Sequence, residues 1–147
     1  MPVQQGQLKF ETRTLTAVAT ATAGATTIDA AAATQTVNIG AAMPAGAWVV
    51  AVDLTDFTAF SGGTVGDFTL DIGTSDDVDA LVDGANLFAA AVDGGPSSIP
   101  LGVRPNKYFA TSKQLTAKFM CGSDNVANAT AGAITIRVLI ASFVTAS

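Results

Sequence analysis

GDFTLDIGTSDDVDALVDGANLFAAAV, residues Gly66 to Val92, is the stretch on which the reading of the chain turns. Phe68, Leu70 and Ile72 alternate with Asp67, Thr69 and Asp71, the period of two that puts apolar side chains on one face of a strand and polar ones on the other. Gly73 ends that strand. Ser75 or Asp76 can cap the next turn, and Val78, Leu81 and Val82 stand at i, i+3 and i+4, which predicts a short helix near residues 76–83 that Gly84 stops. Leu87 to Val92 reads as another strand. The six aspartates between 67 and 83 fit a solvated rim with capping and turn duties.

Working outward, the N-terminal side begins with a Gln-rich segment lacking apolar periodicity, so residues 1–7 are expected to form an arm ordered only against a neighbour and residues 8–147 a single domain. Leu8 to Ala19 alternates as a long strand, with Leu8, Phe10, Thr12 and Thr14 opposite Lys9, Glu11, Arg13 and Leu15. The mixed charges of Lys9, Glu11 and Arg13 can form cross-strand or intersubunit ion pairs, or simply face solvent. Thr16 to Thr36 is rich in Ala and Thr and predicts a loop or one helical turn near Asp29, followed by a strand from Gln35 to Ile39. Pro44-Ala45-Gly46 is a turn. Ala47 to Phe57, with Trp48, Val49, Val50, Val52 and Leu54, is apolar on both faces and predicts a strand inside a sheet.

On the C-terminal side, Asp93 to Ser98 is a breaker cluster, and the prolines of Pro100 to Pro105 lack the donor an inner strand needs. Tyr108 to Thr111 can pair briefly. Gln114 to Met120 and Ala133 to Val144 alternate as strands, the second with Ile134, Ile136, Val138 and Ile140 on one face. About eight short strands separated by Gly, Pro, Asn and Asp turns predict an all-β fold, a β-sandwich of jelly-roll type with the one short helix.

Composition narrows the function. The 147 residues suffice for one domain with its own core. Only 13% are charged while 49% are hydrophobic, against about 25% charged in soluble proteins generally, so much of the surface is expected to pack against other subunits. A net charge of −5 with scattered basic residues argues against nucleic-acid binding. Residues 1–7 do not read as a signal peptide, and no tract predicts a membrane span. The absence of histidine removes the usual general base and the commonest zinc ligand. A lone Cys121 is read as a small buried hydrophobe.

AGAWVVAV at residues 45–52, FTLDIG at 68–73, DVDAL at 77–81 and AGAITIRV at 131–138 together resemble small virion proteins of tailed bacteriophages, the jelly-roll head-decoration (cement) proteins and related capsid or fibre modules. That resemblance implies a homotrimer on the outer face of an icosahedral capsid, bridging major capsid protein subunits, in a virion assembled in the host cytoplasm. It implies no catalytic residues, cofactor or metal. The subunit or capsid interface is expected at Gln4, Gln5, Gln7, Lys9, Phe10, Glu11 and Arg13. An acidic chain suits the outside of a capsid, because packaged DNA favours basic neighbours.

Two other classes are open to this sequence. A fibre, tail or receptor-binding (carbohydrate-binding) sandwich could bind calcium through Asp71, Asp76, Asp77 and Asp79, although their spacing is not that of an EF-hand loop and one Trp and one Tyr make a poor sugar platform. An enzyme would have to rely for all its acid and base work on paired carboxylates such as Asp76 and Asp79, and both lie in a polar turn.

Overall fold

The structure, a computed structural model, describes residues 7–88 and 107–144. Nine strands are formed there: β1 (Gln7–Val18), β2 (Thr26–Thr27), β3 (Thr34–Asn38), β4 (Ala47–Ser61), β5 (Thr69–Thr74), β6 (Val82–Asn86), β7 (Lys107–Phe109), β8 (Leu115–Met120) and β9 (Ala131–Val144). They make two sheets, β2-β1-β9-β4-β7 and β3-β8-β5-β6. Apart from the two-residue β2, which runs parallel to β1, all pairings are antiparallel. With β2 set aside, the first sheet takes the first, eighth, third and sixth strands in chain order, and the second takes the second, seventh, fourth and fifth. Apart from β5 and β6, which form a hairpin, each successive strand changes sheet, the connectivity of a jelly roll.

The core lies between the two sheets. Val49, Val52 and Leu54 of β4 and Ile134, Ile136, Val138 and Ile140 of β9 face Leu70 and Ile72 of β5 and Leu115, Ala117 and Phe119 of β8. A three-ring cluster ties the layers together: Phe60 stacks on Phe68 with centroids 4.8 Å apart, and both rings contact Phe119. The inward face expected for β9 is the one found. In β4 a register shift between Val49 and Ala51 lets Val49 and Val52 both point inward, which is why that segment is apolar at non-alternating positions.

No helix forms near residues 76–83. Leu81 and Val82 are buried as their spacing suggested, but the Leu81 N–H goes to the Ile72 carbonyl and Val82 pairs with Ile72 as the start of β6. An eight-residue helix is marginal without tertiary support, whereas sheet pairing satisfies the same donors. Residues 74–77 instead close a turn in which Thr74 and Asp77 exchange backbone hydrogen bonds. Gly84, expected as a helix stop, lies within β6 at φ +67°, where three residue steps of β6 span two of β5.

β5 is also more covered than a half-buried strand. Its outward Asp71 and Gly73 are buried. A Cβ at Gly73 would come within 2.6 Å of the Val78 carbonyl carbon, so the aspartate-rich loop lies directly on this part of the strand. No helical turn forms near Asp29; Gln35 accepts the N–H groups of Asp29 and Ala30 and shapes that loop. A 3-10 turn at Val126–Asn128 is the helical element among the described residues. The strand expected over Leu87 to Val92 lies largely outside them, as do the breaker cluster, Pro100 to Pro105 and residues 1–6. Gln7, assigned to the arm, opens β1 and pairs with Val144.

Candidate interaction surface

β1 begins beyond the sandwich core. Leu15, Ala17 and Val18 are buried, whereas Gln7 to Phe10 are exposed. On the core-side parity of the strand, Lys9, Glu11 and Arg13 precede Leu15, and they bond one another: Lys9 Nζ lies 2.8 Å and Arg13 Nη1 2.5 Å from the Glu11 carboxylate. Arg13 also donates from Nε to the Ala41 carbonyl at 3.0 Å and from Nη2 to that of Ala42 at 3.4 Å. Hydrogen bonds from Lys9 and then Arg13 hold the Glu11 carboxyl well below its usual 4.5, at about 2. The charged triad is therefore paired within one strand and pinned to the residue 40–42 loop.

The opposite parity of β1 carries Leu8 and Phe10 outward, and register extends them into an apolar patch. Leu8 stands opposite Phe143 of β9. Phe10 stands opposite Ala141, Ala141 opposite Trp48 of β4, and Trp48 opposite Tyr108 of β7, so one row crosses four strands. The Trp48 and Tyr108 rings lie 4.9 Å apart between centroids. Leu8, Phe10, Trp48, Tyr108 and Phe143 retain 52%, 56%, 38%, 49% and 66% of their exposure, and they are the exposed large hydrophobic residues of the described structure. Farther along the same face the residues turn polar, with Asp53 and Thr55 on β4 facing Arg137 and Thr135 on β9 and Arg137 donating to the Thr55 hydroxyl at 2.6 Å. An apolar centre bordered by polar groups is the anatomy of a protein interface.

Of the residues expected at an interface, Phe10 lies in this patch, and Lys9, Glu11 and Arg13 lie on the other side of the strand. Gln7 is exposed at the start of β1, and Gln4 and Gln5 lie outside the described residues. Leu8, Trp48, Tyr108 and Phe143, which complete the patch, were not among the expected residues. Their signal was a bulky apolar residue at the outward parity of each of four strands, legible only once the strands were paired.

The aspartates considered for calcium are not gathered. Asp71 accepts the Gly84 N–H, Asp76 pairs with Lys113, Asp77 lies 4.0 Å from Lys107, and Asp79 is exposed. Among the described residues no group of three or more carboxylate, Cys or His side chains is placed to hold a metal ion, and no helix is long and apolar enough to cross a membrane. Asp67 instead joins two loops: its carboxylate accepts the N–H groups of Gly122 and Ser123 at 2.9 and 2.8 Å. Hydrogen bonding from Ser123 and Gly122 lowers its pKa. Cys121 is buried beside this carboxylate, as expected of a small hydrophobe.

No family model and no curated protein matches the chain. Among solved structures, a chain of the cyanophage Pam1 capsid asymmetric unit is similar in fold, with a TM-score of 0.58 over 93% of this chain and 86% of that one, at 14% identity.

Proposed function

We propose that this chain is a structural virion protein of a tailed bacteriophage that decorates the outer face of the capsid, bridges major capsid protein subunits and works as a homotrimer rather than as an enzyme. The observation that carries the reading is the jelly-roll connectivity of this chain, together with its similarity in fold, over 93% of its length, to a chain of a phage capsid asymmetric unit. The apolar patch supports it, because a surface of that kind is expected on a subunit that works in an assembly. The acidic balance supports an outside position. Interface residues are assigned to the β1 end of the molecule, with Phe10 and Gln7 in direct contact and residues 1–6, including Gln4 and Gln5, reaching a neighbour. Lys9, Glu11 and Arg13 hold that end in shape, since their charges are already paired.

The proposal is tested by co-sedimenting purified protein with empty shells of its own phage. Saturation at a fixed ratio to the major capsid protein is expected, and deletion of residues 1–7 should leave the domain folded while lowering occupancy in competition with the full chain. Failure to sediment with shells at any protein excess would refute the capsid role.

A further inference from the structure

We infer that the outer face of the β1-β9-β4-β7 sheet, at Leu8, Phe10, Trp48, Tyr108 and Phe143, is the surface on which a second copy of this chain docks. This deepens the homotrimer part of the proposal by assigning its face, and it rests on that part alone.

Area is the first argument. Aromatic side chains bring about 150–250 Å² each, so at the exposures of these residues the five leave roughly 500 Å² uncovered. Three such patches turned toward a common threefold axis would withdraw about 1,500 Å² of apolar surface from water in all, and a contiguous patch of several hundred Å² is often functional.

Charge selects the occupant. The chain carries a net charge of −5, so two copies repel wherever their carboxylates meet, yet the five patch residues include no charged group. Like-charge repulsion is therefore least where these faces meet. A basic partner would be matched by carboxylates, and Asp76, Asp77, Asp79 and Asp83 lie on or beside the other sheet. That sheet presents Thr34, Thr36 and Asn38 of β3, Lys118 of β8 and Asp83 of β6 outward, a face that needs no cover.

Rigidity is the third argument. Trp48 stands on the inner strand β4 and is already packed against Tyr108. These two rings have little side-chain freedom left to lose on docking, which favours association.

The experiment is sedimentation of the full chain across a concentration series, for the wild type and for a variant carrying both Phe10→Ser and Phe143→Ser. Both positions are exposed, so the variant should keep its far-UV circular dichroism. The expected result is an oligomeric wild type and at least about tenfold weaker association of the variant, the scale of lost hot-spot contacts. In case the double variant misfolds, Tyr108→Cys supplies a second test: Cys121 is buried, so the new thiol is the accessible one, and oxidation should cross-link two chains faster than in Thr36→Cys on the opposite sheet. A wild type that stays monomeric at every concentration, a variant that associates as the wild type does, or equal cross-linking at both positions would overturn the inference. A monomeric chain whose shell occupancy falls in the double variant would give the patch to a shell protein and also overturn it. Self-association through the patch without any shell binding would uphold the inference and remove the capsid role.

Discussion

The Asp71 carboxylate accepts the backbone N–H of Gly84 at 2.7 Å across β5 and β6, at the point where the two strands fall out of step. A register shift leaves a backbone donor without its ladder partner, and here the acidic side chain replaces that partner. Asp71 is only 7% exposed, so the bond is made where water competes poorly. Replacing Asp71 with Ala should cost about 2 kcal/mol, the usual range for hydrogen bonds to charged groups, and lower the melting temperature by roughly 5 °C. Calorimetry checks this; an unchanged melting temperature would mean that the Gly84 donor is satisfied by water.

Acid should weaken the fold through Glu11 and Asp67. Both carboxyls lie below their ordinary values in the folded chain, Glu11 at about 2 because Lys9 and Arg13 hydrogen-bond to it. A depressed carboxylate stabilises the fold fully above its unfolded pKa, and that contribution is lost as pH falls through the folded value. For Glu11 the window runs from 4.5 down to about 2. Melting temperatures measured through it should fall less steeply in Glu11→Gln than in the wild type, and added salt should narrow the difference because the groups are near the surface. Parallel profiles would contradict the assignment.

Thr116 offers a change in the opposite direction. Its hydroxyl is buried on β8 with no hydrogen-bond partner among the described residues. Thr116→Val keeps the shape and removes the unpaired group, so a gain of about 1 kcal/mol is expected from the cost of burying an unsatisfied polar atom. Denaturant titration reads this directly; a loss of stability would show that the hydroxyl is paired.

The strands were legible where one face is wholly inside, as at Ile134, Ile136, Val138 and Ile140, because period-two burial leaves its mark on residue choice. The two-sided apolar pattern of β4 likewise placed it between two neighbours. Residues 76–83 misled because Val78, Leu81 and Val82 have helical spacing, while Leu81 and Val82 bond and pair with Ile72 of β5, a pairing that spacing within residues 76–83 does not register. In β1 the alternation was visible but its direction was not: the charged parity is the inward one, since this half of the strand overhangs the core and Arg13 meets the carbonyls of Ala41 and Ala42. The apolar patch was illegible for a related reason. Phe10, Trp48, Tyr108 and Phe143 are far apart in the chain and become neighbours only through register.

Calcium should leave the protein unchanged. Asp71, Asp76 and Asp77 already have partners in Gly84, Lys113 and Lys107, and a calcium site needs about six to eight converging oxygens. Melting curves in calcium and in chelator should coincide. A clear rise in melting temperature with calcium would revive the receptor-binding reading of the aspartate-rich loop.

The central claim, a capsid-decorating structural protein, is tested most directly by cryo-electron microscopy of empty phage shells saturated with the purified chain. The account predicts jelly-roll density on the outer surface, in groups of three, each touching more than one major capsid subunit. Density confined to the tail or the inner surface, or shells that look the same with and without the protein, would contradict it.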